Sequence, residues 1–125
     1  MGHKTSLKVH LIFCCKYRKT LLRSLGEEVK ILCHRISQPR DFEILTMEVD
    51  TDHIHFLIEY KPKISVTQIV KCLKRETTHQ LWEDHEGYLK KQFWNERTFW
   101  SDGFFACSIG EASDETIRKY IESQG

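Results

Sequence analysis

Residues 53–60 read His53-Ile54-His55-Phe56-Leu57-Ile58-Glu59-Tyr60. Side chains alternate faces along an extended strand, so Ile54, Phe56, Ile58 and Tyr60 form an apolar face for a core. His53, His55 and Glu59 point the other way. Two imidazoles about 7 Å apart on one strand face can share a metal ion. One eight-residue stretch therefore predicts a half-buried sheet with chemistry on its second face. Lys61-Pro62-Lys63 ends this strand, and Asp50-Thr51-Asp52 before it has the length of a hairpin turn. Residues 41–49 alternate as the preceding strand, with Leu45, Met47 and Val49 expected on one face.

Leu7 to Cys15 reads as a first strand, with Val9, Leu11 and Phe13 on one face and His10, Ile12 and Cys14 on the other. His10 is expected to serve packing. Ser24 and Glu27 have capping-box spacing, and Leu25, Val29, Leu32 and Ile36 follow at helical intervals, which predicts a helix over 24–37. Ser65 and Gln68 repeat the box ahead of Val66, Ile69, Val70 and Leu73, which predicts a second helix running to about residue 82. Gly87 is the expected break in residues 83–98, which take no firm assignment. Residues 103–109 read as a fourth strand. Gly110 permits a change of direction, and Ser113 is placed to cap a last helix ending near Gln124. The order is β-α-β-β-α-β plus one helix. It implies an α+β, ferredoxin-like antiparallel sheet with helices on one face and an extra C-terminal helix, in a single domain over residues 1–125.

The chain has 125 residues, with 19 basic and 18 acidic side chains and a net charge of +1. That balance does not announce a nucleic-acid binder, so any such surface must come from local segregation of charge. No apolar run approaches the ~18 residues that span a bilayer, and no signal peptide is visible, so a cytoplasmic location is expected. The five cysteines are scattered without a C-x-x-C, which argues against a disulfide framework or a zinc knuckle.

Tyr120 and Gln124 are four apart on the last helix and so are neighbours on one face. A tyrosine hydroxyl can act as a nucleophile, and a glutamine carbonyl oxygen can bind a hard cation. The two imidazoles of His53 and His55 plus the Gln124 amide oxygen make an incomplete ligand set that leaves room for water and a phosphate oxygen on Mg²⁺ or Mn²⁺. Asp52, Glu59 and Glu48 are candidates to support the histidines from behind.

These residues carry a resemblance. KYRKTLL after the first strand, MEVDTDHIHFLIEY around the histidines, ISVTQIVKCLKRETT, FWSDGFFACSIG and SDETIRKYIESQ occur in the order found in single-tyrosine HUH transposases of the insertion-sequence-200/605 type. The likeness runs over nearly the whole chain. It implies that His53 and His55 are metal ligands, Gln124 the third ligand and Tyr120 the nucleophile. It implies cleavage and rejoining of single-stranded DNA at transposon ends through a 5′-phosphotyrosine link, with subterminal hairpins as the recognised DNA. It also implies a homodimer in which the last helix completes a site in cis or in trans.

Lys16, Arg18 and Lys19, then Lys71, Lys74 and Arg75, are the candidate contacts to the DNA backbone. Tyr17, Phe99, Trp100 and Phe105 are candidate stacking surfaces. The plain alternatives are a solvated helix face for the second basic set and a core for the aromatics of 93–105. Two other enzymes fit the same motif: a domesticated relative and a rolling-circle initiator nuclease. A non-enzymatic single-stranded nucleic-acid-binding module would instead place aromatics, not histidines, on the open sheet face. A small metal-binding protein would give Tyr120 and the basic clusters no purpose.

Overall fold

The computed structural model describes residues 6–108 and 114–124. Its elements in chain order are β1 (Leu7–Cys14), α1 (Leu22–Ser37), β2 (Phe42–Val49), β3 (His53–Tyr60), α2 (Val66–Gln92), β4 (Phe105–Ser108) and α3 (Asp114–Ser123). The sheet order is β2-β3-β1-β4, antiparallel throughout. This is the expected ferredoxin-like α+β arrangement with a helix added. Ile109, Gly110 and Ser113, the expected strand end, hinge and cap, lie outside the described residues. No described helix is long and apolar enough to cross a membrane.

Strand β1 is central and pairs with β3 over its full length, from Leu7 opposite Tyr60 to Cys14 opposite His53. Val9, Leu11 and Phe13 face the main core with Ile54, Phe56 and Ile58, and α1 and α2 cover it. Ile12 and Cys14, on the opposite face, are also fully buried. β1 is therefore covered on both sides, unlike a strand with one wet face.

The expected face of β2 needs correcting. Phe42 and Ile44 are buried, the register shifts between Ile44 and Thr46, and Met47 and Val49 then pack against the core, while Leu45 is exposed. A bulge inserts one residue and so reverses the parity of the strand. Without it, Phe42 and Met47 would point to opposite faces.

Both helices exceed their expected bounds. α1 begins at Leu22, not at a Ser24 cap, and no side chain caps it. Leu21 and Leu22 are buried, and the Leu22 N–H donates to the Thr51 carbonyl at 3.0 Å. Burial of two leucines and a backbone acceptor replace the polar cap. In α2 the Ser65–Gln68 capping box forms as expected. The helix continues past residue 82 to Gln92, bending at His85 and not at Gly87. Leu89 is fully buried, and the His85 ring meets Glu28 of α1 at 2.8 Å.

Three side chains of α2 hold the segment before β4. Trp82 donates its indole N–H to the Thr98 carbonyl at 2.9 Å, and Thr77 accepts the Trp100 indole N–H at 2.9 Å. Lys74 Nζ donates to the carbonyls of Ser101 at 2.8 Å, Asp102 at 3.4 Å and Gly103 at 2.8 Å. On its other side the segment joins the end of β1, through Lys16 N to Phe99 O and Ser101 N to Cys14 O. Replacing Lys74 with Met should cost about 1–3 kcal/mol, the worth of hydrogen bonds to a charged donor. Lys71→Met, on the exposed side of the same helix, should change stability by less than about 0.5 kcal/mol. Denaturant unfolding of the two variants checks this.

Candidate active site on the second sheet face

His53 and His55 sit on β3, half-buried, on the face opposite Ile54 and Phe56. The ring of His53 is held from behind, its Nδ1 lying 2.9 Å from Asp52 Oδ1. The other oxygen of Asp52 accepts from Arg18 Nε at 3.2 Å. Burial alone would raise the Asp52 pKa, but the hydrogen bonds from His53 and Arg18, with the Arg18 charge, outweigh it and hold the carboxyl below its usual range. Arg18 reaches Asp52 from a turn in which Tyr17 and Arg18 both have positive φ, 57° and 52°. That left-handed backbone is costly for side chains of this size.

His55 Nε2 lies 3.1 Å from His10 Nδ1 of β1, with the two rings tilted by 52°. Burial, then the nearby His10, push the His55 pKa down. His55 is therefore neutral near pH 7, the form that can bind a metal.

Tyr120 of α3 packs its ring against Phe105 of β4, centroids 5.6 Å apart. Its hydroxyl is buried and has no hydrogen-bond partner. A Cβ placed on Gly103 would meet Tyr120 Oη at 3.8 Å and Gln124 Oε1 at 4.0 Å. The two polar atoms thus converge on the one position in that loop with no side chain. Burial, then Cys14, push the Tyr120 pKa up to about 12. Cys14 links the two halves of the site: it is the register partner of His53, and it is the second cause, after burial, of the raised Tyr120 pKa.

The structure therefore gathers His53 with Asp52, His55 with His10, and Tyr120 with Gln124. Among the described residues no three His, Cys, Asp or Glu side chains form a metal cluster. Glu59 is not brought to the histidines. It accepts from Ser6 Oγ at 3.0 Å and lies four residues, about 13 Å, along the strand from His55.

The basic candidates divide. Lys71 and Arg75 are exposed and line a shallow groove with His79, Arg97, Asp102 and Phe104. Lys74, expected on the same solvated face, is instead turned inward onto three carbonyls and over the Phe13 ring, and burial lowers its pKa to about 8. Lys16 pairs with Asp102 at 3.4 Å, Arg18 is bound to Asp52, and Lys19 lies over the Phe93 ring. Of the aromatic candidates, Phe99 and Trp100 are core residues, while Tyr17 is exposed and donates to Glu96 at 2.8 Å. Trp94 departs from the core expected for the aromatics of 93–105: at 91% exposed it is the most open large hydrophobic side chain among the described residues. His10 was missed as a site residue: strand parity puts it on the right face, but the register that brings it to His55 is a tertiary fact.

A family profile described as "Transposase IS200 like" matches residues 3–124. The ISDra2 transposase TnpA of Deinococcus radiodurans is 31% identical over 124 residues, covering 98% of this chain and 87% of that protein. The transposase for insertion sequence element IS200 of Salmonella typhimurium is 33% identical over 136 residues, covering 99% and 85%. The crystal structure of a candidate transposase from Deinococcus radiodurans superposes with a TM-score of 0.87 at 26% identity, covering 99% of this chain and 95% of that one. A REP-associated tyrosine transposase bound to a REP hairpin shares the fold, with a TM-score of 0.61 at 14% identity, covering 98% of this chain and 67% of that one. Two relatives matched over most of both lengths, and a profile that spans nearly every residue, place the chain in the IS200-like transposase family.

Proposed function

We propose that this transposase cleaves and rejoins single-stranded DNA with Tyr120 as nucleophile and with His53, His55 and Gln124 as the ligands of Mg²⁺ or Mn²⁺. The observation that carries this is the buried, unpartnered Tyr120 hydroxyl beside Gln124 Oε1, across Cys14 from His53. A buried hydroxyl without a partner costs free energy that ordinary packing would not retain. Neutral imidazole nitrogens and an amide oxygen suit a hard or borderline divalent ion. When bound there, the ion supplies positive charge against the non-bridging oxygens of the scissile phosphate.

The phenol oxygen of Tyr120 forms a bond to phosphorus as the bond to the 3′-oxygen breaks. The phenolic proton passes to water, and the departing 3′-oxygen takes a proton from water, so one proton moves net from the phenol to the new 3′-hydroxyl. The 5′-phosphotyrosine keeps the phosphodiester energy, so attack by a 3′-hydroxyl rejoins strands without a nucleotide cofactor. Asp52 and Arg18 hold His53 in place during both steps.

The DNA is proposed to be single-stranded with subterminal hairpins. Lys71 and Arg75 lie beside Arg97 in the groove along α2, and backbone phosphates would follow that line of positive charge. Among the aromatic candidates named from the sequence, Tyr17 is the exposed one that an unpaired base could stack on. In the single chain α3 lies on its own sheet, and a homodimer would let the same helix complete either subunit's site.

Incubation with hairpin-bearing single-stranded DNA and Mn²⁺ should give a covalent adduct on a denaturing gel. Tyr120→Phe should abolish the adduct while hairpin binding survives; an adduct from that variant would remove Tyr120 as the nucleophile.

With its pKa pushed up to about 12, Tyr120 is almost wholly protonated at neutral pH. Its reactive anion grows with pH, so single-turnover adduct formation should rise between pH 7 and 9 by up to ~10-fold per unit. A flat profile would show instead that another group takes the proton during attack.

The double variant Lys71→Ala, Arg75→Ala should weaken hairpin binding and lower the slope of log affinity against log salt by about 1–2, as two lost phosphate contacts require. An unchanged slope would move the DNA off this groove.

A further inference from the structure

We propose that His10 is a positioning residue for the metal site: it accepts the Nε2–H of His55 and so commits Nδ1 of His55 to the ion. This deepens the metal-site reading above and rests on it.

The two facing nitrogens, His10 Nδ1 and His55 Nε2, are 3.1 Å apart. A neutral imidazole has one N–H and one lone pair, so one ring must donate and the other accept. If His10 donated, the proton of His55 would sit on Nδ1, and its only lone pair would already be used by His10. His55 would then have no nitrogen for a metal unless the bond broke. If His55 donates, the bond survives and Nδ1 is left with a free lone pair. Only the second arrangement lets His55 be both a partner of His10 and a ligand.

His53 shows the same logic with the nitrogens exchanged. Its Nδ1 faces a carboxylate oxygen of Asp52, an acceptor, so the proton sits on Nδ1 and Nε2 is free. Each histidine of the pair thus has one nitrogen tied to a protein acceptor and one available. A ring held this way loses little rotational freedom when it binds an ion, and loss of such outer partners weakens metal binding ~10–100-fold.

His10 is well built for this role. It lies on the central strand, paired with Leu57 of β3 on one side and Cys107 of β4 on the other. Its half-buried ring is tilted by 52° to that of His55 and stands too close to be bridged by water. Strand alternation turns this side chain to the face opposite Val9 and Leu11, away from the main core behind β1.

The test is Mn²⁺ titration of the full chain, followed by the EPR signal of the free ion, for wild type, His10→Leu and His10→Asn. Alongside it, long-range ¹H–¹⁵N spectra of the Mg²⁺-loaded protein show which nitrogen of His55 carries the proton. His10→Leu should weaken Mn²⁺ binding by ~10–100-fold, and His10→Asn, whose Oδ1 can replace Nδ1 as acceptor, should recover most of it. The spectra should show the His55 proton on Nε2. Wild-type affinity or tighter binding in His10→Leu would overturn the proposal, as would a proton on Nδ1 of His55. If His10→Leu fails to fold, the Asn variant and the wild-type tautomer still decide it. A different failure marks the underlying reading: if wild type binds no Mn²⁺, or His53→Ala and His55→Ala bind it as tightly, the metal site itself is wrong and the role of His10 falls with it.

Discussion

Burial of β1 on both faces is the constraint on which the rest depends. Val9, Leu11 and Phe13 anchor the main core, and Ile12 and Cys14, fully buried on the other side, form an apolar floor for the site. That floor sets the protonation states above it. Burial is the largest cause of both shifts that matter: it lowers the pKa of His55 and raises that of Tyr120. In both cases the charged form is disfavoured. The histidine is kept neutral, with a lone pair to give to the proposed ion, and the phenol is kept un-ionised until the proposed phosphate and its counter-charge arrive. One physical effect, removal of water from the second sheet face, acts on the proposed ligand and the proposed nucleophile together.

The seat of the last helix depends on α2 in turn. Trp82, Thr77 and Lys74 hold residues 98–103 at successive points, and the backbone of Ser101 bonds to Cys14 at the end of β1. Gly103, at the end of this segment, faces Tyr120 and Gln124 directly. Lys74 gives up its solvation to bind three carbonyls, which is why its pKa falls to about 8. A lysine that looks like a DNA contact in a list of charges is in fact part of the platform on which Tyr120 rests.

The strands and their order were legible because alternation is a local signal. The β3 run predicted its own two faces, and the ferredoxin-like topology followed from element order. Errors came where a tertiary effect outweighed a local one. The bulge at Leu45 reversed parity inside β2, and burial of Leu21 and Leu22 moved the start of α1 ahead of its polar cap. In α2 the charged residues after Trp82 hid the periodicity that Leu89 and Phe93 complete in the core. At the site, Asp52 could be named because it precedes His53 in the chain. His10 could not, since it reaches His55 only through the β1–β3 register.

The two halves of the candidate site are held to different degrees. His53 and His55 stand on β3, one of the two central strands, each tied by a side-chain hydrogen bond and backed by a fully buried face. The tyrosine stands on a helix of ten residues in which Ile117, Tyr120 and Ile121, and Gln124 just past its end, are only partly covered. A helix that short has little stability of its own and persists through docking. Elements of low local stability are the ones that open without unfolding the rest. The proposed reaction, in which Tyr120 first carries one DNA end and later releases it to another strand, would use this division: a phosphate-binding half fixed in a rigid sheet, and a covalent half on a helix that can leave its seat at modest cost.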